Sequence, residues 1–326
     1  MFILALLLRR LAQGVVVVLL TTLLIFTLLR VVPGDPVRLI VGGMAPDNVV
    51  EEVAHKMGLR DPIIVQFGRY LGGLVRGDLG HSYQRPKSGA EAQGGAYNDP
   101  TRGEMASVSD LIMERMPLTL QLAGIALVFA LLISLPLGIA GGRWPGRWPD
   151  TLAFAAGSVF VSLPNFWLGI VLALVVTVQL HWLPSIGYHG ISYAILPAIV
   201  LAVEISPFLI RSLTVSVSAI MREPFIEAGV VRGLGPMRIV FAHALRNASV
   251  PLLNLLGIQL STMLGGVLVV EYIFDYPGLG QLTVNAVLQR DFPLIQGIAI
   301  VTSGIFVLIN IGVDVLAATI DPRLTE

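Results

Sequence analysis

The chain has 326 residues and a formal net charge of zero; 55% of it is hydrophobic, 13% is charged, and the mean hydropathy is +0.81. Soluble domains carry about a quarter charged residues, so this composition excludes the ordinary globular class and selects the membrane class. Cysteine is absent, which excludes disulfides, thiolate catalysis, zinc–thiolate sites and iron–sulfur ligation; lysine occurs only at Lys56 and Lys87, and neither stands in the G-x-x-x-x-G-K-[ST] setting of a phosphate loop, so any ATP hydrolysis belongs to another polypeptide.

Six apolar runs of about 18 residues or more, long enough to cross the hydrocarbon core as helices, are predicted at 11–32, 118–142, 152–180, 195–217, 250–273 and 297–320. The first follows Arg9 and Arg10. It is too long for a secretory h-region and ends in VVPGDP without a small-residue cleavage site, so an uncleaved span with its N-terminus inside is expected. Pro164 and Pro207 interrupt the third and fourth runs, and each is read as a kink within one continuous span. Between the first two runs, residues 47–79 have helical periodicity and are expected to fold onto the membrane surface, whereas QRPKSGAEAQGGAYNDPTRGE is polar and glycine-rich and predicts a flexible loop over 84–105.

Arginine sets the orientation. Arg143 and Arg147 fall between the second and third runs, and Arg211, Arg222, Arg232, Arg238 and Arg246 at or between the fourth and fifth. Residues 181–194 carry no Lys or Arg, and 274–296 carry only Arg290. With six spans the positive-inside rule then places both termini in the cytoplasm, leaves 33–117 outside, and puts the loop 218–249 on the cytoplasmic side.

That loop contains EPFIEAGVVRGLGPMR, residues 223–238. Pro224 suits a first helical turn, Glu223 and Glu227 lie near its positive end, and the Gly233-Leu-Gly-Pro236 break ends the helix near Arg232. A second amphipathic helix follows, with Met237, Val240, Phe241 and Ala244 predicted on one face. The physics leaves two readings open: an interfacial loop, or an element that docks on a cytosolic partner.

Glu227-Ala228-Gly229, three residues, then Gly233 resembles the E-A-A-x3-G loop of the membrane subunits of binding-protein-dependent ABC importers. AHALRNASVPLL at 242–253 is similar to the form this loop takes in the dipeptide/oligopeptide permease branch, and VVPGDPVRLI, MGLRDPIIVQFGRYLGGLVRGDLGHS, VVEYIFDYPGLGQL, RDFPLIQG and VDVLAATIDPR resemble segments of that branch in the same order. Two departures are Gly229 in place of the second alanine, and Leu245-Arg-Asn, with proline only at Pro251, in place of I-x-L-P. The stretch from 85 to 104 is longer than the family usually has.

The resemblance implies an all-α polytopic protein of the type I ABC importer permease fold, a B-type subunit with an extracytoplasmic insertion after its first helix. Its regions would be 1–32 (N-terminus and first helix), 33–117 (the extracytoplasmic part), 118–320 (the permease core with coupling loop 218–249) and 321–326 (a cytoplasmic tail). It implies that Glu223, Phe225, Glu227, Ala228, Gly229, Arg232 and Gly233 couple the chain to two cytosolic ATPases. Those ATPases would hold ATP and Mg²⁺, and this chain would bind no cofactor or metal of its own. The other expected partners are a second, non-identical permease subunit, an extracytoplasmic substrate-binding protein and membrane lipid, with no nucleic acid. The implied cargo is di- or oligopeptides; relatives in the branch move glutathione, nickel complexes or oligosaccharides. A secondary transporter is the rival class, marked by inverted repeats and midplane coupling charges.

Charges inside spans are costly unless paired or turned to a cavity. Glu204 departs from the family pattern, and two readings stand for it: a path residue for a cationic substrate group, or a cap on a buried polar cluster. Arg211, two turns away, snorkels, contacts the loop or joins the path. Glu271 and Asp314 are expected to satisfy backbone or interhelical donors at interfaces. Tyr276, Pro277 and Gly278 are expected in an outer gate or docking surface. The histidines at 55, 81, 181, 189 and 243 show no H-E-x-x-H spacing, and no G-x-S-x-G elbow occurs, so a catalytic residue is not expected.

Overall fold

The computed structural model describes residues 2–31, 36–41, 44–86 and 105–320. In chain order the elements are α1 (Phe2–Val31), α2 (Pro36–Val41), α3 (Asp47–Lys56), α4 (Ile63–Val75), strands β1 (His81–Pro86) and β2 (Met105–Ser107), α5 (Val108–Arg143), α6 (Trp148–Ser162), α7 (Asn165–Leu172) with a π-helical extension Ala173–Gln179, α8 (Ser192–Ile220), α9 (Pro224–Val231), α10 (Pro236–Arg238) with a π-helical turn Ile239–Ala244, α11 (Leu245–Ile273), α12 (Leu279–Leu288) and α13 (Phe292–Ile320). Five of these are long and apolar enough to cross a bilayer, within Leu7–Val31, Val108–Arg143, Ser192–Ile220, Pro251–Ile273 and Phe292–Thr319. A sixth crossing is supplied only if α6 and α7 are taken together, and these are bent by 95°.

That bend corrects the expectation of one continuous span over 152–180. Pro164 lacks an N–H and disfavours helical backbone in the residue before it, and Leu163 accordingly takes φ −89°, ψ 114°. Pro197 and Pro207 are tolerated inside α8, where surrounding helices enclose both residues. α5 starts ten residues before the predicted span, because VSDLIMERMP is itself amphipathic and buries Val108 and Ile112. α13 likewise starts at Phe292 rather than 297. Of the predicted loop 84–105, residues 84–86 and Met105 belong to strands, while 87–104, like the tail 321–326, lie outside the described residues.

The chain divides into two compact units. The first comprises 1–11, 118–281 and 306–326. Its axis is α8: 72% of that helix's most apolar stretch is buried, against 17–28% for the other four crossing helices. Leu201, Ile205, Leu209 and Leu213 of α8 pack with Leu122 and Ala126 of α5 and with Met263 and Val267 of α11. Glycine permits close approach between α5 and α8: a Cβ on Gly138 of α5 would lie 2.5 Å from Leu213 Cβ, the small-residue packing that membrane helices use in place of a hydrophobic driving force. Within the same unit Arg10 pairs with Asp314 at 2.8 Å, so Asp314 meets a cation near the helix ends.

The second unit comprises 12–117 and 282–305. β1 and β2 pair antiparallel with His81 opposite Ser107 and an irregular register toward Pro86. Fully buried Asp291 pins this hairpin by accepting from the Ser82 hydroxyl and, at 3.1 Å, from the Tyr83 N–H. Burial pushes the Tyr83 phenol up to about 12, so alkaline titration does not disturb the anchored strand at ordinary pH.

Candidate functional site

Three groups of predicted residues fall in the first unit, and each is built from a local rule. The first follows the end of α8. Glu223 is extended at the N-cap (φ −74°, ψ 144°) and Pro224 opens α9, whose first turn carries Glu227. Its end is a Schellman motif: Leu234 N–H donates to Gly229 C=O at 3.1 Å, Gly233 N–H donates to Val230 C=O at 2.9 Å, and Gly233 takes φ +76°. Arg232 is the C-cap.

Only Ile226 and Gly229 of α9 are buried. A Cβ on Gly229 would meet Leu234 Cδ1 at 3.3 Å, so the position where the family has alanine faces this chain's own loop. Glu223, Phe225, Glu227, Ala228, Val230, Val231, Arg232 and Gly233 are exposed. The outward surface is therefore acidic at its start and apolar along its length, with Val231 at 88% exposure.

The helix after Pro236 differs from its predicted face. Val240 and Ala244 are buried, but Met237 and Phe241 are exposed and Ile239 is buried instead. The cause is the π-helical turn over Ile239–Ala244, whose wider winding rotates the apolar stripe relative to an α-helical wheel. No break separates this segment from α11.

The second group surrounds Glu204, midway along α8. Its carboxylate lies beside the side chain of Asn165, the residue that opens α7 after the bend. The Oε2 atom is enclosed and has no hydrogen-bond partner. It occupies space left by Gly266 of α11, where a Cβ would lie 2.3 Å away. No ion pair joins Glu204 to Arg211 among the described residues. Arg211 is exposed instead and lines a crevice of about 180 Å³ between α6 and α8, with Asp150, Phe154, Pro207 and Phe208.

The third group is the Tyr276 turn, and its organising residue is Glu271, which is fully buried. Thr119 Oγ1 donates to Glu271 Oε1 at 2.7 Å, while Gly280 N–H and Gln281 N–H donate to Oε2 at 2.6 and 3.2 Å. Leu279 N–H donates back to Thr119 Oγ1 at 2.8 Å. Glu271 thus satisfies both backbone and interhelical donors. Tyr276 is also fully buried, edge-on to Tyr188 with centroids 5.3 Å apart. Gly278 is buried as well, which leaves Pro277 as the member of the predicted trio that reaches the surface. Thr119 and Tyr188 were not foreseen; the only sequence signal for Thr119 is a hydroxyl at the start of an apolar run.

Among the described residues no three His, Asp or Glu side chains converge as metal ligands.

The family model described as "Binding-protein-dependent transport system inner membrane component" matches residues 134–326, and the corresponding N-terminal model matches residues 3–123. The oligopeptide transport system permease protein AppB of Bacillus subtilis is 32% identical, over 98% of this chain and 99% of that protein. The glutathione transport system permease protein GsiC of Salmonella paratyphi A is 34% identical over 97% of each chain. In fold the chain is similar to a chain of the MetNI methionine ABC transporter, solved in inward facing conformations, with a TM-score of 0.55 and 22% identity over 65% of this chain and 96% of that one. The bundle around α8, the capped α9 helix and two family matches that together span nearly the whole chain lead to one assignment: this protein belongs to the binding-protein-dependent transport system inner membrane components, as a multi-pass permease subunit of an ABC importer.

Proposed function

We propose that this subunit forms part of a translocation path for short peptides, glutathione included, and that α9 is where ATP-driven motion enters it. The carrying observation is the surface of α9: Phe225, Val230 and Val231 are apolar and exposed beside Glu223 and Glu227, on a helix opened by Pro224 and closed by the Gly233 turn. An exposed apolar patch with a charged margin marks a protein interface, and its partners in this reading are two cytosolic ATPases that hold ATP and Mg²⁺. Because α10 runs without a break into α11, displacement of the loop is transmitted to a membrane helix as a rigid movement. A second permease subunit completes the path, and a binding protein delivers the cargo on the opposite side. The arginine distribution supports cytoplasmic termini and a cytoplasmic α9.

The names of both relatives point to peptides, since glutathione is itself a tripeptide, and this supports the cargo class. Phe225→Asp tests the coupling reading. It is expected to lower co-purification of the ATPases and substrate uptake about tenfold or more, as for an apolar anchor at an interface, with no change in the folded fraction of the chain. Undiminished co-purification and uptake would refute the role of α9.

Glu204 enters this reading as the acid for the substrate's ammonium group, because an unpaired carboxylate inside a span is costly and its free oxygen lies where α7, α8 and α11 meet. Glu204→Gln retains the shape of the site beside Asn165. Uptake of peptides with a free N-terminus is expected to fall about tenfold, equivalent to about 1.4 kcal/mol, while the α-N-acetylated peptides lose nothing. Equal uptake by the variant and the parent would assign Glu204 to the polar cluster alone.

A further inference from the structure

The amphipathic helix α4 has no assigned task, and its surroundings fix its depth. Arg30, in the last turn of the crossing helix α1, donates from Nε and Nη2 to Gln66 Oε1 at 2.9 and 2.7 Å, and its guanidinium lies 3.4 Å from the centroid of Phe26. Phe26, 1% exposed, also stacks edge-on with Phe67 at 5.1 Å and meets Tyr70 at 5.9 Å. Gln66 in turn donates to Leu59 C=O and Asp61 C=O at 3.0 and 2.7 Å, which fixes the chain entering α4. One side of α4 is thereby clamped to the terminal turns of a membrane span.

The rest of its apolar arc is not covered by the described residues. α4 buries no residue; Ile64 is 85% and Val75 88% exposed. Positions 64, 71 and 75 share a helical face at spacings of seven and four. Arg69 and Arg76 lie on another side, and Arg69 is held by Asp61 at 2.7 Å. The clamp sets the helix beside the last turn of the apolar span of α1, and the exposed apolar stripe of α1, Leu20, Leu24, Leu28 and Val31, ends at that same turn. A helix with one apolar and one cationic side at this depth has the composition of an interfacial helix.

We propose that α4 lies in the bilayer interface at the end of α1, with Ile64, Leu71 and Val75 inserted among the acyl chains and Arg69 and Arg76 turned to headgroups and water. The partner is the lipid surface itself, reached by continuity with the exposed face of α1. In this arrangement α4 acts as a lateral brace: the apolar contact holds the Arg30–Gln66 clamp flat against the membrane and positions the hairpin that follows it.

The absence of cysteine makes the test direct. Nitroxide labels are placed on Ile64→Cys, Val75→Cys and Arg69→Cys, one at a time, in the assembled importer with the cysteines of the other subunits replaced, in vesicles of phosphatidylethanolamine and phosphatidylglycerol. Collisions with oxygen, which concentrates in the acyl region, are compared with collisions with a water-soluble nickel chelate. The expected result is oxygen dominating several-fold at 64 and 75 and the chelate dominating at 69. Chelate dominance at 64 and 75 would show a water-facing helix, and inaccessibility to both reagents would show a protein partner; either overturns the proposal.

Discussion

Gly280→Ala is expected to prevent the bundle from closing at the Tyr276 turn, and Glu271→Ala to do so by a different route. A Cβ on Gly280 would lie 2.5 Å from Leu268 Cα and 3.1 Å from Leu268 N. Those are backbone atoms of α11, so no rotamer relieves the clash and the turn must move outward, at a cost of about 1–3 kcal/mol for overpacking alone. Moving it lengthens the bond from Gly280 N–H to Glu271 Oε2, 2.6 Å in the native chain. Glu271→Ala removes the acceptor while leaving the Gly280 and Gln281 amides and the Thr119 hydroxyl in a buried setting. Leaving buried donors unsatisfied in this way costs about 1–3 kcal/mol for each, and Glu271→Gln, which keeps one carbonyl oxygen, should cost less. Thermal unfolding in detergent and the amount of chain recovered from membranes provide the readouts. Both alanine variants should unfold well below the parent, and a parental transition for Glu271→Ala would show that the carboxylate does not hold the turn.

The parts of this architecture that depend on a few consecutive residues were legible from the amino acids. Pro224 and Gly233 bound α9 because a ring-fixed φ starts a helix and a left-handed glycine ends it, and both conditions are local. The two interrupting prolines carry the same local signal and have opposite outcomes. Pro164 sits at a 95° bend, whereas Pro207 lies within a continuous helix enclosed by its neighbours; the difference is tertiary and absent from either heptapeptide. The acid at 271 could be seen to need donors, but Thr119 is 152 residues away and nothing in its surroundings announces a partner. The misassigned face at Met237 and Phe241 has another origin. A helical wheel presumes a constant angle per residue, and the π-helical turn at Ile239–Ala244 violates that premise without any distinctive sequence. The hairpin has little signature in the amino acids because its strands are short and the residues that separate them are polar and glycine-rich.

Gly233→Leu is expected to uncouple ATP hydrolysis from uptake while Gly233→Ala largely preserves it, and the local geometry makes this pair a clean comparison. At φ +76° any side chain is strained, by about 1–2 kcal/mol, and this charge is common to both variants. Among the described residues, no atom beyond the two chain neighbours lies within 4 Å of the position a Cβ would take, so the larger side chain meets no additional resistance there in folding. Leu and Ala should therefore unfold at the same temperature, slightly below the parent. Under the coupling role proposed for α9, the extra volume of leucine projects from the helix end toward the ATPase and alters the contact that must change between its two nucleotide states. The expected measurement is at least a tenfold lower uptake per ATP hydrolysed for Gly233→Leu than for Gly233→Ala at equal subunit stoichiometry, a difference of about 1.4 kcal/mol or more. Equal coupling ratios would mean that this helix end faces solvent in the working importer. A lower unfolding temperature for leucine alone would instead place an unrecognised contact within the chain, so the stability and transport readings together separate a partner effect from a folding effect.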